Sequence, residues 1–135
     1  MNMFEKIGEF TPDSLIASPD FPILKEGIGL KPGQGVLKRG SLILKGTDKA
    51  GYIAGNSAAG EGAQVSGILT DDTDTGDETS EDVPEGNIPA TVYQTGVFNR
   101  AAVLLSGEDA DIGTYEDEMK DVGIYLRDVQ KYEGR

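Results

Sequence analysis

The chain has 135 residues, 37% of them hydrophobic, and a formal net charge of −12. It contains no His and no Cys, which excludes catalysis by an imidazole or a thiol, zinc sites built from these residues, and disulfides. Most of the acid excess lies in residues 51–135, and because such a surface repels phosphate we expect no binding to nucleic acid.

This length supports one small domain. The 19 glycines and 6 prolines favour short strands separated by turns. No apolar run approaches the roughly 20 residues that cross a bilayer, and the first residues lack the charged-then-apolar pattern of a signal peptide. We therefore expect a protein made in the cytoplasm without a membrane partner. The predicted fold is a compact, β-dominated α+β domain with one short helix near the C-terminus and an extended N-terminal arm.

Residues 1–32 hold four of the 6 prolines. Proline removes a backbone donor and favours extended geometry in the residue before it, so no long helix is expected here. The stretch is also apolar, which leaves two interpretations open: a segment wrapped over its own domain, or an arm that binds another chain by strand addition. In the second, residues 33–135 are the domain, and removal of residues 1–24 leaves it folded. The candidate binding residues of the arm are Phe4, Ile7, Phe10, Leu15, Ile16, Phe21, Ile23 and Leu24.

Short apolar runs between Gly-rich turns predict strands in residues 33–69. Two of them, residues 36–37 and 42–44, flank a turn at residues 38–40. Two more lie at residues 52–54 and 65–69.

Residues 70–87 contain eight carboxylates and no basic residue. Because this composition offers few apolar side chains to bury, the stretch is predicted to be an exposed loop. Residues 71–82 have the glycine and the final acid of an EF-hand loop, but Thr73 and Thr75 stand where that loop has carboxylates, and no flanking helices are predicted. No specific metal site is expected.

Residues 88–98 are predicted to form one half-buried strand. Ala90 and Val92 alternate with polar and aromatic residues at a period of two. Gly96 indicates a bulge or bend within that strand. Residues 101–105 predict a further short strand.

A helix is predicted to begin at Thr114. Asp117 stands three positions later, close to a capping box, and the acids at 116–118 suit the positive end of a helix dipole. Gly123 is predicted to end the helix. For residues 124–129 both a continued helix and a last strand are open, and the β-branched and aromatic composition favours the strand. The predicted apolar helix face carries Tyr115, Met119 and Val122.

No enzyme and no cofactor are predicted. Residues 55–60 have the glycine spacing of a phosphate loop, but Glu61 follows where that motif requires Lys. Two carboxylates suffice for glycoside hydrolysis, yet nothing marks any pair among the 24 acidic residues as sharing a cleft.

Five segments follow one another along roughly residues 14–129. They are LIASPDFP (residues 15–22), LKRGSLIL (37–44), VSGILTDD (65–72), TVYQTGVFN (91–99) and VGIYLRD (122–128). In this order they resemble the lambda-type phage head decoration protein family. Each motif alone is common, whereas VSGIL followed by a strand of the pattern YxTGxFN is more specific.

The resemblance implies a small β-rich domain that forms homotrimers on the outer surface of the virion. The trimers would bind the major capsid protein at threefold and quasi-threefold positions of the expanded head and stabilise it against internal DNA pressure. The N-terminal segment would engage the coat subunits. Two alternatives stay open: an acidic DNA mimic that inhibits DNA-binding proteins, which the net charge favours, and another virion module such as a tail or adaptor subunit.

Overall fold

The computed structural model describes residues 15–18, 21–60, 62–77, 86–107 and 111–128. In these ranges the chain forms ten strands, three 3-10 turns and one short α-helix, α1 (Glu116–Asp121). This confirms the predicted β-dominated α+β class with a short helix near the C-terminus. The strands are β1 (Ile16–Ser18), β2 (Lys25–Leu30), β3 (Gln34–Leu37), β4 (Leu42–Lys45), β5 (Gly51–Ile53), β6 (Gln64–Leu69), β7 (Thr73–Asp77), β8 (Ile88–Tyr93), β9 (Gly96–Asn99) and β10 (Ile124–Arg127).

Five strands close into a barrel in the order β2-β5-β4-β6-β8. All its neighbours pair antiparallel except β2 and β5, which are parallel. The interior is filled by apolar side chains from all five strands, at alternate positions where a strand contributes more than one. The buried ones are Leu30, Ile43, Leu69 and Val92, with Leu37 of β3, and the partly buried ones are Ile28, Ile53, Ile88 and Ala90.

A second core lies on the outer face of β4, β6 and β8, under the sheet β1-β9-β10 and helix α1. Phe98 of β9 is fully buried there, together with Met119 of α1 and Ile124 of β10. Because β4 is buried on both faces, its residues 42–44 are a continuous apolar run instead of an alternating one, and β6 ends in the buried pair Ile68 and Leu69 for the same reason. We call this group the Phe98 core, and its other buried members are Leu15, Leu42, Leu44, Ala54, Val65, Ile68, Tyr93 and Val103.

The single strand predicted for residues 88–98 is wrong. The chain leaves the barrel after β8 and enters the three-stranded sheet at Gly96, so two strands in different sheets replace one bent strand. A side chain at Gly96 would place its Cβ 2.8 Å from Cζ of Phe98, so only glycine lets the ring pack there. The strand predicted at residues 101–105 is also wrong, because Arg100–Ala102 form a 3-10 turn capped by the Asn99 side chain and Leu104 makes only an isolated parallel bridge with Ser41.

Helix α1 and the strand after it lie where the sequence predicts them. The predicted cap of the helix at Thr114 is wrong. Thr114 lies inside a preceding 3-10 turn that Asp111 caps, and the α1 N-cap residue, Tyr115, makes no side-chain capping bond. Gly123, at φ +94°, ends the helical region. β10 follows at once and pairs parallel with β9, which confirms the strand interpretation as far as residue 127. No helix in the described ranges is long and apolar enough to cross a membrane.

The acidic stretch is only partly a loop. Residues Thr73–Asp77 form β7, which pairs antiparallel with β3 in a separate two-stranded sheet. The side chains of Thr70 and Thr75 are buried. The prediction of an exposed loop across residues 70–87 is therefore wrong for this part, and residues 78–85 lie outside the described ones.

Hydrogen bonds to β3 explain why β7 forms without apolar residues. The Thr75 hydroxyl accepts the Gln34 N–H at 2.8 Å and donates to the Gly35 carbonyl at 2.7 Å. Asp72 accepts the Arg39 N–H at 2.8 Å, which joins the residue before β7 to the turn after β3. A buried polar side chain with its bonds satisfied replaces the missing apolar contacts.

The N-terminal part of the domain begins before the predicted boundary at residue 32. β2 pairs with β8 along its whole length, and Leu30 is fully buried in the barrel. Leu15 is 1% exposed within the Phe98 core. Residues 15–18 and 21–30 are thus wrapped onto their own domain, the first of the two interpretations, and residues 1–14 lie outside the described ones.

Candidate binding surface

The structure separates the eight candidate arm residues. Leu15 is a core residue, and Ile16 and Ile23 are half-buried against the same core. Phe21 is half-buried, and Leu24 is 55% exposed. Among the described candidates Leu24 thus has the largest exposed fraction, and the three half-buried side chains leave a smaller part of their surface for another molecule. The remaining three, Phe4, Ile7 and Phe10, lie outside the described residues.

The segment that carries Phe21 and Leu24 is fixed to the connection between β8 and β9. The Leu24 N–H donates to Oγ1 of Thr95 at 3.1 Å, and that hydroxyl donates to the Pro22 carbonyl at 3.0 Å. The Gln94 N–H donates to the Leu24 carbonyl at 2.6 Å. The backbone is therefore held on both sides of Leu24, which fixes the point from which its exposed side chain projects.

Two further exposed apolar side chains lie beside this segment. Tyr125 of β10 is 39% exposed, and its ring meets Phe21 edge to face with centroids 5.4 Å apart. Val122, in the turn before β10, is 40% exposed. A Cβ added at Gly123 would lie 3.0 Å from Cγ2 of Thr95, so this turn contacts the residue that also holds Leu24.

Phe21 and Tyr125 are in contact, and Leu24 and Val122 lie on the two segments that approach Thr95, so we call these four residues the apolar patch. Single exposed apolar residues are ordinary, whereas neighbouring ones mark candidate interaction sites. The patch lies next to the sheet that contains β1, from which the chain leads back to residues 1–14. The surface is suited to apolar contact with another protein.

An ion-pair group positions the elements that carry the patch. Arg100 donates to both carboxylate oxygens of Glu116, at 2.6 and 2.9 Å, and its Nε donates to Asp128 at 2.9 Å. The start of α1 and the end of β10 are thus tied to one guanidinium. The hydrogen bonds and charge of Arg100 hold the pKa of Glu116 below its ordinary value, and Glu116 and Asp128 in turn raise the pKa of Arg100.

A cleft of about 420 Å³ is lined in part by Val122. Its lining includes Glu118 and Asp121 of α1 and Val65 of β6. Glu118 already accepts the Val65 N–H at 2.6 Å, so that carboxylate joins α1 to the barrel. In the described ranges no group of three acidic residues is placed to hold a metal ion.

The sequence pattern did not identify Val122 and Tyr125 as surface residues. The helical spacing predicts Val122 on the buried face with Met119, but the helix ends before Val122, and of the two only Met119 is fully buried. The signal for Tyr125 was available, because the alternation of Ile124, Tyr125 and Leu126 in a strand places Tyr125 on the face opposite to Ile124.

No protein-family model matches the chain, and a search of curated proteins finds no match either.

Proposed function

We propose that this chain is a lambda-type phage head decoration protein. It binds as a trimer to the major capsid protein on the outside of the expanded head, at threefold and quasi-threefold positions, and stabilises the shell. It carries out no chemistry of its own.

The observation that carries this proposal is that the five segments of the resemblance meet in one core. Every one of them supplies at least one buried side chain to the Phe98 core. These side chains, in segment order, are Leu15, then Leu42 and Leu44, then Val65 and Ile68, then Tyr93 and Phe98, and last Ile124. Segments that are scattered along the chain but pack on one another specify a fold together, so their ordered resemblance concerns a whole domain and not five separate short motifs.

The apolar patch supports the second half of the proposal, which is binding to coat subunits. It combines two aromatic rings and two aliphatic side chains on a backbone that hydrogen bonds hold in place. Aromatic anchors in a preorganised surface contribute most of the affinity in typical protein interfaces, because little conformational freedom is lost on binding. Residues 1–14 would extend the contact from the neighbouring strand β1.

Co-sedimentation with capsids tests the proposal. Purified protein is mixed with expanded heads of the phage that encodes it, prepared without their decoration protein, and with unexpanded proheads as the comparison. We expect saturable binding to the expanded heads and a higher temperature of head disruption. Absence of binding to expanded heads contradicts the proposal.

Matched variants test whether the apolar patch is the contact. Leu24→Ala and Tyr125→Ala should each weaken binding to expanded heads about tenfold, the usual effect of truncating an anchor residue. Val36→Ala is the control, because Val36 is 54% exposed on β3, outside the patch. Equal binding by all three variants would show that the apolar patch does not contact the coat subunits. The proposed decoration role itself would stand.

A further inference from the structure

Strand β7 lies at the edge of its sheet. Among the described residues it pairs with β3 alone. The free side of an edge strand presents backbone N–H and C=O groups to which a strand of another molecule adds, and proteins block such edges with charge or bulges. The free edge of β7 is therefore open to strand addition unless some feature of the chain blocks it.

The direction of one backbone donor follows from its neighbour. The Thr75 carbonyl accepts the Gly33 N–H at 2.8 Å, so it points towards the β3 side of β7. The described peptide bonds include no cis bond, and the C=O and N–H of a trans peptide point in opposite directions. The Gly76 N–H, on the same peptide unit, consequently points to the free edge.

That outward donor is occupied within the chain. Oδ1 of Asp74 accepts the Gly76 N–H at 2.9 Å. An incoming strand that needs this donor would first have to break a hydrogen bond to a charged acceptor, the stronger kind of hydrogen bond.

The backbone of β7 is also bulged at this point. Val36 pairs with Asp74 and Gln34 with Asp77, so two residues of β7 face one residue of β3. Gly76 has φ +89°, which a non-glycine residue adopts only under strain. A bulge increases the local twist and turns the edge away from a flat partner.

We propose that Asp74 protects the β7 edge against strand addition by a second copy of this chain. It occupies the outward donor at the bulge, and its exposed carboxylate, with that of Asp71, repels the same carboxylates on the incoming copy. This device keeps neighbouring molecules separate where many copies are crowded together. The inference does not depend on the proposed role on the capsid.

Variants at Asp74 separate the hydrogen bond from the charge. Asp74→Ala removes both, whereas Asp74→Asn keeps an acceptor oxygen and removes the charge. Asp71→Asn is the charge control, since Asp71 is exposed and stands before β7. Asp74→Val, which also lacks the acceptor and suits a strand, replaces Asp74→Ala if that variant does not fold.

Sedimentation velocity over a range of concentrations gives the assembly state, and amide hydrogen exchange at Gly76 reports the edge. We expect Asp74→Ala to raise the weight-average mass about twofold over wild type at high concentration. Its Gly76 amide should exchange faster than wild type when dilute and more slowly when associated. The two Asn variants should associate less than Asp74→Ala. The proposal is overturned if Asp74→Ala has the same weight-average mass as wild type, or if it associates without slower amide exchange at Gly76. It is also overturned if both Asn variants associate as strongly as Asp74→Ala does.

Discussion

The three-stranded sheet and the β3–β7 sheet lie outside the same barrel but are held by different interactions. Strands β9 and β10 pack on the barrel through the fully buried Phe98 and Ile124, and β1 adds the half-buried Ile16 to the same core. β7 has no apolar residue and is held to β3 by strand pairing and by the buried Thr75 hydroxyl. The comparison shows that an acidic, Thr-rich segment forms a strand when one hydroxyl replaces the apolar contacts.

Side-chain hydrogen bonding also connects the β3–β7 sheet to the barrel. The Gln34 side-chain amide donates to the carbonyls of Lys31 and Gly51, and its oxygen accepts the Ile53 N–H at 3.0 Å. One side chain thus provides the bonds that a strand partner would otherwise make to β5. A few polar groups thus hold the β3–β7 sheet in place, whereas many apolar contacts hold the three-stranded sheet.

The largest expected effect is the loss of stability on truncating a side chain in the Phe98 core, which holds the three-stranded sheet. Leu15→Ala should lower the free energy of unfolding by about 2–5 kcal/mol, because it opens a cavity in the Phe98 core. Leu24→Ala, at an exposed position of the same segment, should change it by no more than about 0.5 kcal/mol. Urea denaturation of the two variants beside wild type measures both values.

Truncation extends the same test. Removal of residues 1–24 takes away Leu15 and strand β1, so we now expect a destabilised domain, contrary to the expectation from the sequence. A truncated protein with wild-type stability would show that these residues are dispensable to the Phe98 core.

In the β3–β7 sheet, Thr75→Val should lower the free energy of unfolding by about 1–3 kcal/mol, although valine has nearly the same shape as threonine. The reason is that the Gln34 N–H and the Gly35 carbonyl lose their buried hydrogen-bond partner. Thr73→Val is the control, since the Thr73 hydroxyl donates to the Asp71 carbonyl at an exposed position. Thermal and urea unfolding measure the difference. Equal stability of the two variants would mean that the hydroxyl of Thr75 does not hold β7.

The smallest effect concerns the surface pair that ties α1 to Arg100. Because Arg100 lowers the pKa of Glu116 in the folded state, the pair stabilises the fold above the unfolded pKa of about 4.3, and this contribution is lost as the pH falls through the lower folded pKa. The melting temperature of Glu116→Gln should therefore lie below that of wild type near pH 7 and approach it in acid. Asp117→Asn leaves the Arg100–Glu116 ion pair intact, so the melting temperature of this control should still fall in acid as that of wild type does. A constant gap between Glu116→Gln and wild type at all pH values would contradict this account.

Apolar pattern predicted β4, β5, β6, β8 and β10, but it did not predict β2, whose Leu30 is fully buried in the barrel. It could not predict β7, because the burial of Thr75 depends on partners 40 residues away along the chain. The break at Gly96 was missed because the same alternation continues across two sheets. The N-terminal segment was ambiguous for a similar reason: Leu15 and Leu24 are the same residue type, and only the tertiary structure buries one and exposes the other.

The most direct test of the proposed role is a cryo-electron microscopy map of expanded heads saturated with the protein. The account predicts added density in groups of three at the threefold and quasi-threefold positions, with residues 1–14 and the apolar patch facing the coat subunits. Isolated single copies away from these positions, or heads without added density at saturating protein, would contradict it.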